Sequence, residues 1–373
     1  MRYDPGRKRV ISMRLFTCQS CEQILFFENT VCEHCKHQLG YLPGLSVLSA
    51  LEPVEGGLWR PLEPRIRQAE LAYCANHAHD VCNWMTMPNE SGHPSFCFAC
   101  RFNRIIPNLD KPENLERWHK LEVAKHRLFY TLLRLKLPMK TRLEDPLGGL
   151  VFDFLDDPPD GSSAVMTGHN NGVITIALRE ADDACRERMR VEMGEYYRTL
   201  LGHFRHEVGH YYWNVLVRDA GRLDACRAVF GDDRADYQQA LQTYYDSPRP
   251  TDWQTHHVSI YATSHPWEDF AETWAHYLHI VSTLETAWAY GVSINPALAG
   301  AQPSSSPQHG DPYTEASFDE IMQAWLPLTY AVNSLNRSMG LPDFYPFVLT
   351  QGVVNKLSFI HTLIRETQAL RSC

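Results

Sequence analysis

The chain has 373 residues, with 44% hydrophobic and 21% charged residues, enough for two or three domains around at least one sizeable core and too apolar for a disordered protein. Its formal net charge of −9 argues against a general polyanion binder, and nucleic acid is not an expected partner; the one dense basic stretch, Arg2, Arg7, Lys8, Arg9 and Arg14, reads as a solvated arm. No apolar run is long enough to span a bilayer, and no apolar segment follows the basic N-terminus, so the expectation is a cytoplasmic protein that does not use a membrane.

Eight of the eleven cysteines fall between Cys18 and Cys100. In a reducing compartment such clustering predicts metal ligands rather than disulfides. Cys18, Cys21, Cys32 and Cys35 form C-x2-C-x10-C-x2-C, two tight knuckles able to close a tetrahedron around zinc. Cys74, Cys82, Cys97 and Cys100 form a second, less regular array, in which His77, His79 or His93 is an alternative ligand to one cysteine. Four filled positions leave no room for substrate, so both sites are expected to be structural. Gln23–Phe27 is expected to be extended, and this region has little else with which to build a core, so metal is its staple. The expected division is 1–43 for the tail and first zinc ribbon, 44–110 for a second four-cysteine module and 111–373 for a catalytic domain.

Asp110-Lys-Pro-Glu reads as a cap opening a helix that runs to Leu137, where Pro138 stops it. Leu150–Leu155 and Gly172–Leu178 read as strands, the latter as either an edge at a cleft or plain core. A long helix is expected from Val191 to Val217 and another from Pro266 to Thr283. Gln302–Pro312 reads as a mobile loop. Ser317 with Glu320 suggests a capping box opening a further helix, and Val353–Ala369 a last one. The expected class is α+β: zinc-ribbon modules followed by a mostly helical domain with a small antiparallel sheet.

His206-Glu-Val-Gly-His210 is HExxH. On a helix, residues i and i+4 share a face, so both imidazoles can reach one ion, while Glu207 can contact a water beside it. Downstream, Glu268 and Glu272 are also spaced i, i+4, with His276 continuing the line. Two stacked glutamates repel on an isolated helix, and a cation beside them removes that penalty. His203, Trp213, Trp267 and Trp274 read as packing residues.

This arrangement resembles the gluzincin peptidases, in which HExxH is followed on a later helix by E-x-x-x-D/E. The resemblance implies Glu268 as third zinc ligand and Glu272 as a support for His206 or His210. Glu268-Asp-Phe-Ala-Glu272 is similar to the EFFAE element of the anthrax lethal factor-type peptidases, which place a tyrosine seven residues before the ligand; Tyr261 stands at that spacing. From about Met13 onward the chain resembles a bacterial family of zinc-binding metallopeptidases with an N-terminal zinc ribbon, through Cys18 to Cys35, Cys82-Asn-Trp, Cys97-x-x-Cys100, Gly202 to Trp213 and His265 to Glu272.

The expectation is therefore a zinc metallopeptidase acting on a protein or peptide, with one catalytic zinc on His206, His210 and Glu268 and two structural zincs. Glu207 is the expected general base and Tyr261 the oxyanion donor. Glu272, His276 and His265 stand behind them, His265 being either a second donor or a helix cap. The alternatives are a zinc-ribbon module binding protein or nucleic acid with an inactive HExxH site, and a DNA-associated protease, which would be expected to carry a histidine as third ligand.

Overall fold

The structure, a computed structural model, describes residues 15–88, 95–158, 163–193, 195–247, 250–294, 311–315 and 317–372. The basic arm, His93 and most of the Gln302–Pro312 segment lie outside the described residues.

Short antiparallel pairs dominate the N-terminal part. β1 (Phe16–Thr17) pairs with β2 (Ile24–Leu25), and β3 (Gln38–Leu42), β4 (Val47–Pro53) and β5 (Trp59–Pro61) form a meander. β6 (Ala72–Tyr73) pairs with β7 (Met85–Thr86). Each turn between them carries cysteines or a left-handed residue, such as Glu22 (φ 62°), Lys36 (φ 61°) and Asp80 (φ 59°).

Three residues after Cys100, β8 (Asn103–Ile105) leaves this part and joins a four-stranded sheet. That sheet has the order β10-β11-β9-β8, with β9 at Val151–Leu155, β10 at Gly168–Asn170 and β11 at Val173–Ala177. Antiparallel pairing holds for β10 with β11, whereas β9 lies parallel to both β8 and β11. Parallel neighbours need a crossover, and α1 (Pro112–Arg134) supplies it between β8 and β9. Asn171 and Gly172, with φ of 45° and 83°, close the two-residue β10–β11 turn, as an Asn-Gly pair does best. The expected Gly172–Leu178 strand is thus β11, an interior strand; the sheet edge next to it is β10.

α1 starts at Pro112, but its N-cap is Lys111 without a side-chain bond, so Asp110 does not cap it, and it ends at Arg134 rather than Leu137. The single helix expected over 191–217 is two: α2 (Asp183–Met193) and α3 (Leu200–Trp213). Thr199 Oγ1 accepts the Gly202 N–H at 3.0 Å and so starts a new helix there. α3 runs into a π-turn at Asn214–Arg218. Two short helices follow, α4 (Leu223–Phe230) and α5 (Tyr237–Asp246), then α6 (Pro266–Ala289), α7 (Phe318–Ser338) and α8 (Gln351–Ser372). Ser317 caps α7 through the Glu320 N–H, as the spacing predicts.

α3 and α6 pack so closely that a Cβ on Gly209 would lie 3.0 Å from Ala271 Cα and 3.2 Å from Trp274 Cβ. One continuous apolar core links Phe16, Tyr41, the four buried cysteines Cys74 to Cys100, Trp118, Phe129, Phe204, Trp274 and Ile364. No helix among the described residues is long and apolar enough to cross a membrane.

Candidate metal centre

The HExxH segment lies in the last three turns of α3, and the two glutamates lie in the first two turns of α6. His265 caps α6: its Nδ1 accepts the Trp267 N–H at 3.0 Å and its Nε2 donates to the Ala235 carbonyl at 3.1 Å. Both ring nitrogens are therefore committed to the backbone, which removes it as a donor to substrate. Pro266 fits the first helical position, where its missing N–H costs nothing.

With α3 and α6 in contact, Glu268 Oε2 lies 2.9 Å from His206 Nε2 and 3.4 Å from His210 Nε2. The three ligand atoms all lie within 4.8 Å of one another. A tetrahedral zinc with bonds of about 2.1 Å has edges of roughly 3.4 Å, so the set matches such an ion. The electrostatics match too. Burial alone would lower the His206 pKa, but the hydrogen bonds it donates to the Glu268 and Glu272 carboxylates hold it well above its usual range. The site thus demands positive charge at this point.

The carboxylates are held from behind. Glu272 Oε1 lies 2.6 Å from His206 Nδ1, and Ser259 donates to Glu272 Oε2 at 2.5 Å. Tyr237, at the start of α5, donates to Glu268 Oε1 at 2.6 Å. Neither Ser259 nor Tyr237 carries a sequence signal: no motif includes them, and only the fold brings α5 to α6. Trp267 packs on His210 at 3.7 Å between ring centroids.

A cavity of about 360 Å³ opens beside His206, lined by His206, Glu207, Tyr261, Glu272, Tyr197 and Phe347 among others. Glu207 is buried, which raises its pKa. Tyr261 faces the same cavity, and its ring lies 6.0 Å from that of His206. His203 is not mere packing: it lines the cavity, and its Nδ1 lies 3.1 Å from the buried Glu180. His276 also borders the cavity, but its Nδ1 bonds to the Tyr345 hydroxyl at 2.7 Å rather than to Glu272.

The two cysteine arrays each converge. Cys18 and Cys35, and likewise Cys21 and Cys32, have sulfurs 3.6 Å apart. In the second array Cys82 and Cys97 are 3.7 Å apart, and all four sulfurs lie within 4.8 Å of one another. Bonds of about 2.3 Å around a tetrahedral zinc give edges of roughly 3.8 Å. Burial pushes the Cys82 and Cys97 thiols up, so thiolates there call for a cation. His77 does not replace a cysteine; its Nδ1 bonds to the Cys82 carbonyl at 2.9 Å, and its ring stacks on Tyr73. His79 packs against Trp118. The histidine beside this cluster is instead His126 of α1, with Nε2 3.4 Å from Cys82 Sγ.

Comparison with known proteins matches residues 114–363 to the family described as "Putative zinc-binding metallo-peptidase" and residues 15–111 to a zinc-ribbon domain. Uncharacterized proteins of Mycobacterium bovis and Mycobacterium tuberculosis are 40% identical over 355 residues, 95% of this chain and 96% of theirs. No solved structure matches.

Proposed function

The chain belongs to the zinc-binding metallo-peptidase family, and from that premise we propose that it hydrolyses peptide bonds at a zinc held by His206, His210 and Glu268. The convergence of those three ligand atoms beside Glu207 carries the reading. Zinc there would supply Lewis acidity, lowering the pKa of a water at the open position and polarising a carbonyl.

The chain's own residues do the rest. Glu207 takes the attacking water's proton and returns it to the leaving amine. Its burial, which raises its pKa, suits a group that must both accept and give up a proton. Tyr261, on the cavity wall, donates to the developing oxyanion. Glu272 fixes the orientation of His206, and Tyr237 that of Glu268. The substrate is a protein or peptide. Met166 and Thr167 line the cavity and lead directly into the edge strand β10, which offers main-chain partners to an extended peptide. The cysteine arrays hold two structural zincs, giving three in all.

Glu207→Gln tests the proposal. Hydrolysis of a broad peptide library should fall by about 10²–10⁴ with zinc content unchanged. Equal hydrolysis by the variant would remove Glu207 from the chemistry and the mechanism with it. His206→Ala should hold one zinc fewer than the wild type.

A further inference from the structure

The second cysteine cluster is more deeply placed than a ribbon site needs to be. Cys74, Cys82, Cys97 and Cys100 are 1%, 5%, 0% and 1% exposed, whereas Cys21 and Cys35 of the first cluster are only half-buried. Four thiolates around one divalent cation leave an excess of two negative charges. At the first cluster water can solvate that excess; at the second only protein can, and burying charge without partners is costly.

The partners come from α1, outside the zinc-ribbon match. Glu122, Lys125 and His126 lie on one face of the helix, at i, i+3 and i+4, with 0%, 0% and 5% exposure. His126 Nε2 is 3.4 Å from Cys82 Sγ and 3.7 Å from Cys100 Sγ. Its Nδ1 lies 3.8 Å from Glu122 Oε2. Lys125 Nζ pairs with Glu122 Oε2 at 2.8 Å and also bonds to Asn103, on the strand that follows the cluster. Trp118 and Asn103 saturate the other Glu122 oxygen, at 3.1 and 2.6 Å.

We propose that the second zinc site is built jointly by the ribbon and α1, with His126 donating its Nε2–H to the thiolates of Cys82 and Cys100 and Lys125 balancing the Glu122 carboxylate, whose Oε2 lies 3.9 Å from Cys100 Sγ. His126 is thus a positioning residue for the metal-bound sulfurs rather than a fifth ligand. Metal at this site fixes the ribbon onto α1 and, through Asn103, β8 onto the four-stranded sheet. The inference does not depend on the peptidase reading.

The test uses the full chain loaded with zinc. His126→Met removes the donor and roughly keeps the volume; His126→Gln restores an N–H in similar reach. His126→Met should keep the wild-type zinc count but release one zinc to a chromogenic chelator, 4-(2-pyridylazo)resorcinol, about 10–100 times faster. His126→Gln should lie nearer the wild type. With cobalt(II) in place of zinc, His126→Met should shift the sulfur-to-metal charge-transfer band while the absorption stays that of a four-thiolate site. Release and spectrum identical to the wild type would overturn the proposal. Outright loss of one zinc in both variants would also overturn it, by making His126 a ligand. Should His126→Met not fold, His126→Leu, which also lacks the donor, takes its place: a wild-type zinc count with faster release and a shifted band supports the bond, and wild-type release with an unchanged band contradicts it.

Discussion

Glu268 serves two masters. One oxygen faces both imidazoles, and the other accepts the Tyr237 hydroxyl at 2.6 Å. With Glu268 only 1% exposed, loss of that donor leaves a buried carboxylate oxygen without its partner and frees the side chain to rotate. Tyr237→Phe should therefore weaken zinc binding at the HExxH site by about 10–100-fold, as loss of a group orienting a ligand commonly does. Competition against a fluorescent zinc indicator reads this directly. The two cysteine sites, being remote, should keep their zinc, and wild-type affinity at all sites would show that the Glu268 carboxylate holds its place without help.

The ligand geometry is a property of two helices before it is a property of three side chains. Gly209 sits between His206 and His210 in the chain, where α3 meets Ala271 and Trp274 of α6. A methyl there is tight against the Ala271 backbone and the Trp274 Cβ rather than against a flexible side-chain end, so the helices must give by a few tenths of an ångström. Gly209→Ala should cost about 1–3 kcal/mol, measured as a lower urea midpoint, and should loosen the zinc by moving Glu268 away from both rings; an unchanged midpoint would mean the helices absorb the methyl. A second link ties the sheet to the start of α3. Glu180, in the turn after β11, lies 3.2 Å from Arg198 and 3.1 Å from His203. Burial alone would raise its pKa, but His203 and Arg198 bring it down from 4.5 to about 2. A depressed carboxylate contributes stability that is fully present above its unfolded value, near 4.5, and is lost as pH falls through about 2. Glu180→Gln should thus be less stable than the wild type by about 3 kcal/mol at pH 7, the usual scale for breaking a buried pair. The gap should close as pH falls from 4.5 toward 2 in urea titrations; a gap independent of pH would deny the ion pair its role.

At the scale of the whole chain, what could be read from the sequence was what spacing alone determines. Knuckle spacing marked the first cysteine array and the Cys97–Cys100 pair of the second, and i, i+4 spacing paired His206 with His210 and Glu268 with Glu272. Partners that meet only through tertiary packing left no such trace: Tyr237 on α5, Ser259 before α6, and His126 on α1. Among the elements, long apolar periodicity marked α1, α6 and α8, but Thr199 opened a new helix inside what periodicity reads as one, and the parallel neighbours of β9 depend on β8 arriving from the ribbon side. That strand exchange has a thermodynamic consequence. The cysteines of the second cluster, Trp84, Trp118, Phe129 and Phe204 share one core, so the ribbon and the helical part are not separable units. Structural zinc contributes apparent binding energies on the order of 10 kcal/mol, comparable with the roughly 5–15 kcal/mol that holds an ordinary domain folded. Removing it from a site inside the shared core should therefore destabilise both parts at once. Stripping the chain with an excess of a strong chelator should lower the melting temperature of the α-helical signal at 222 nm in step with loss of the near-ultraviolet tryptophan signal, as one transition. If the helical signal instead melts at its original temperature while the cysteine-rich part alone loses structure, the core is divided, and the metal at the second cluster holds only its own module together.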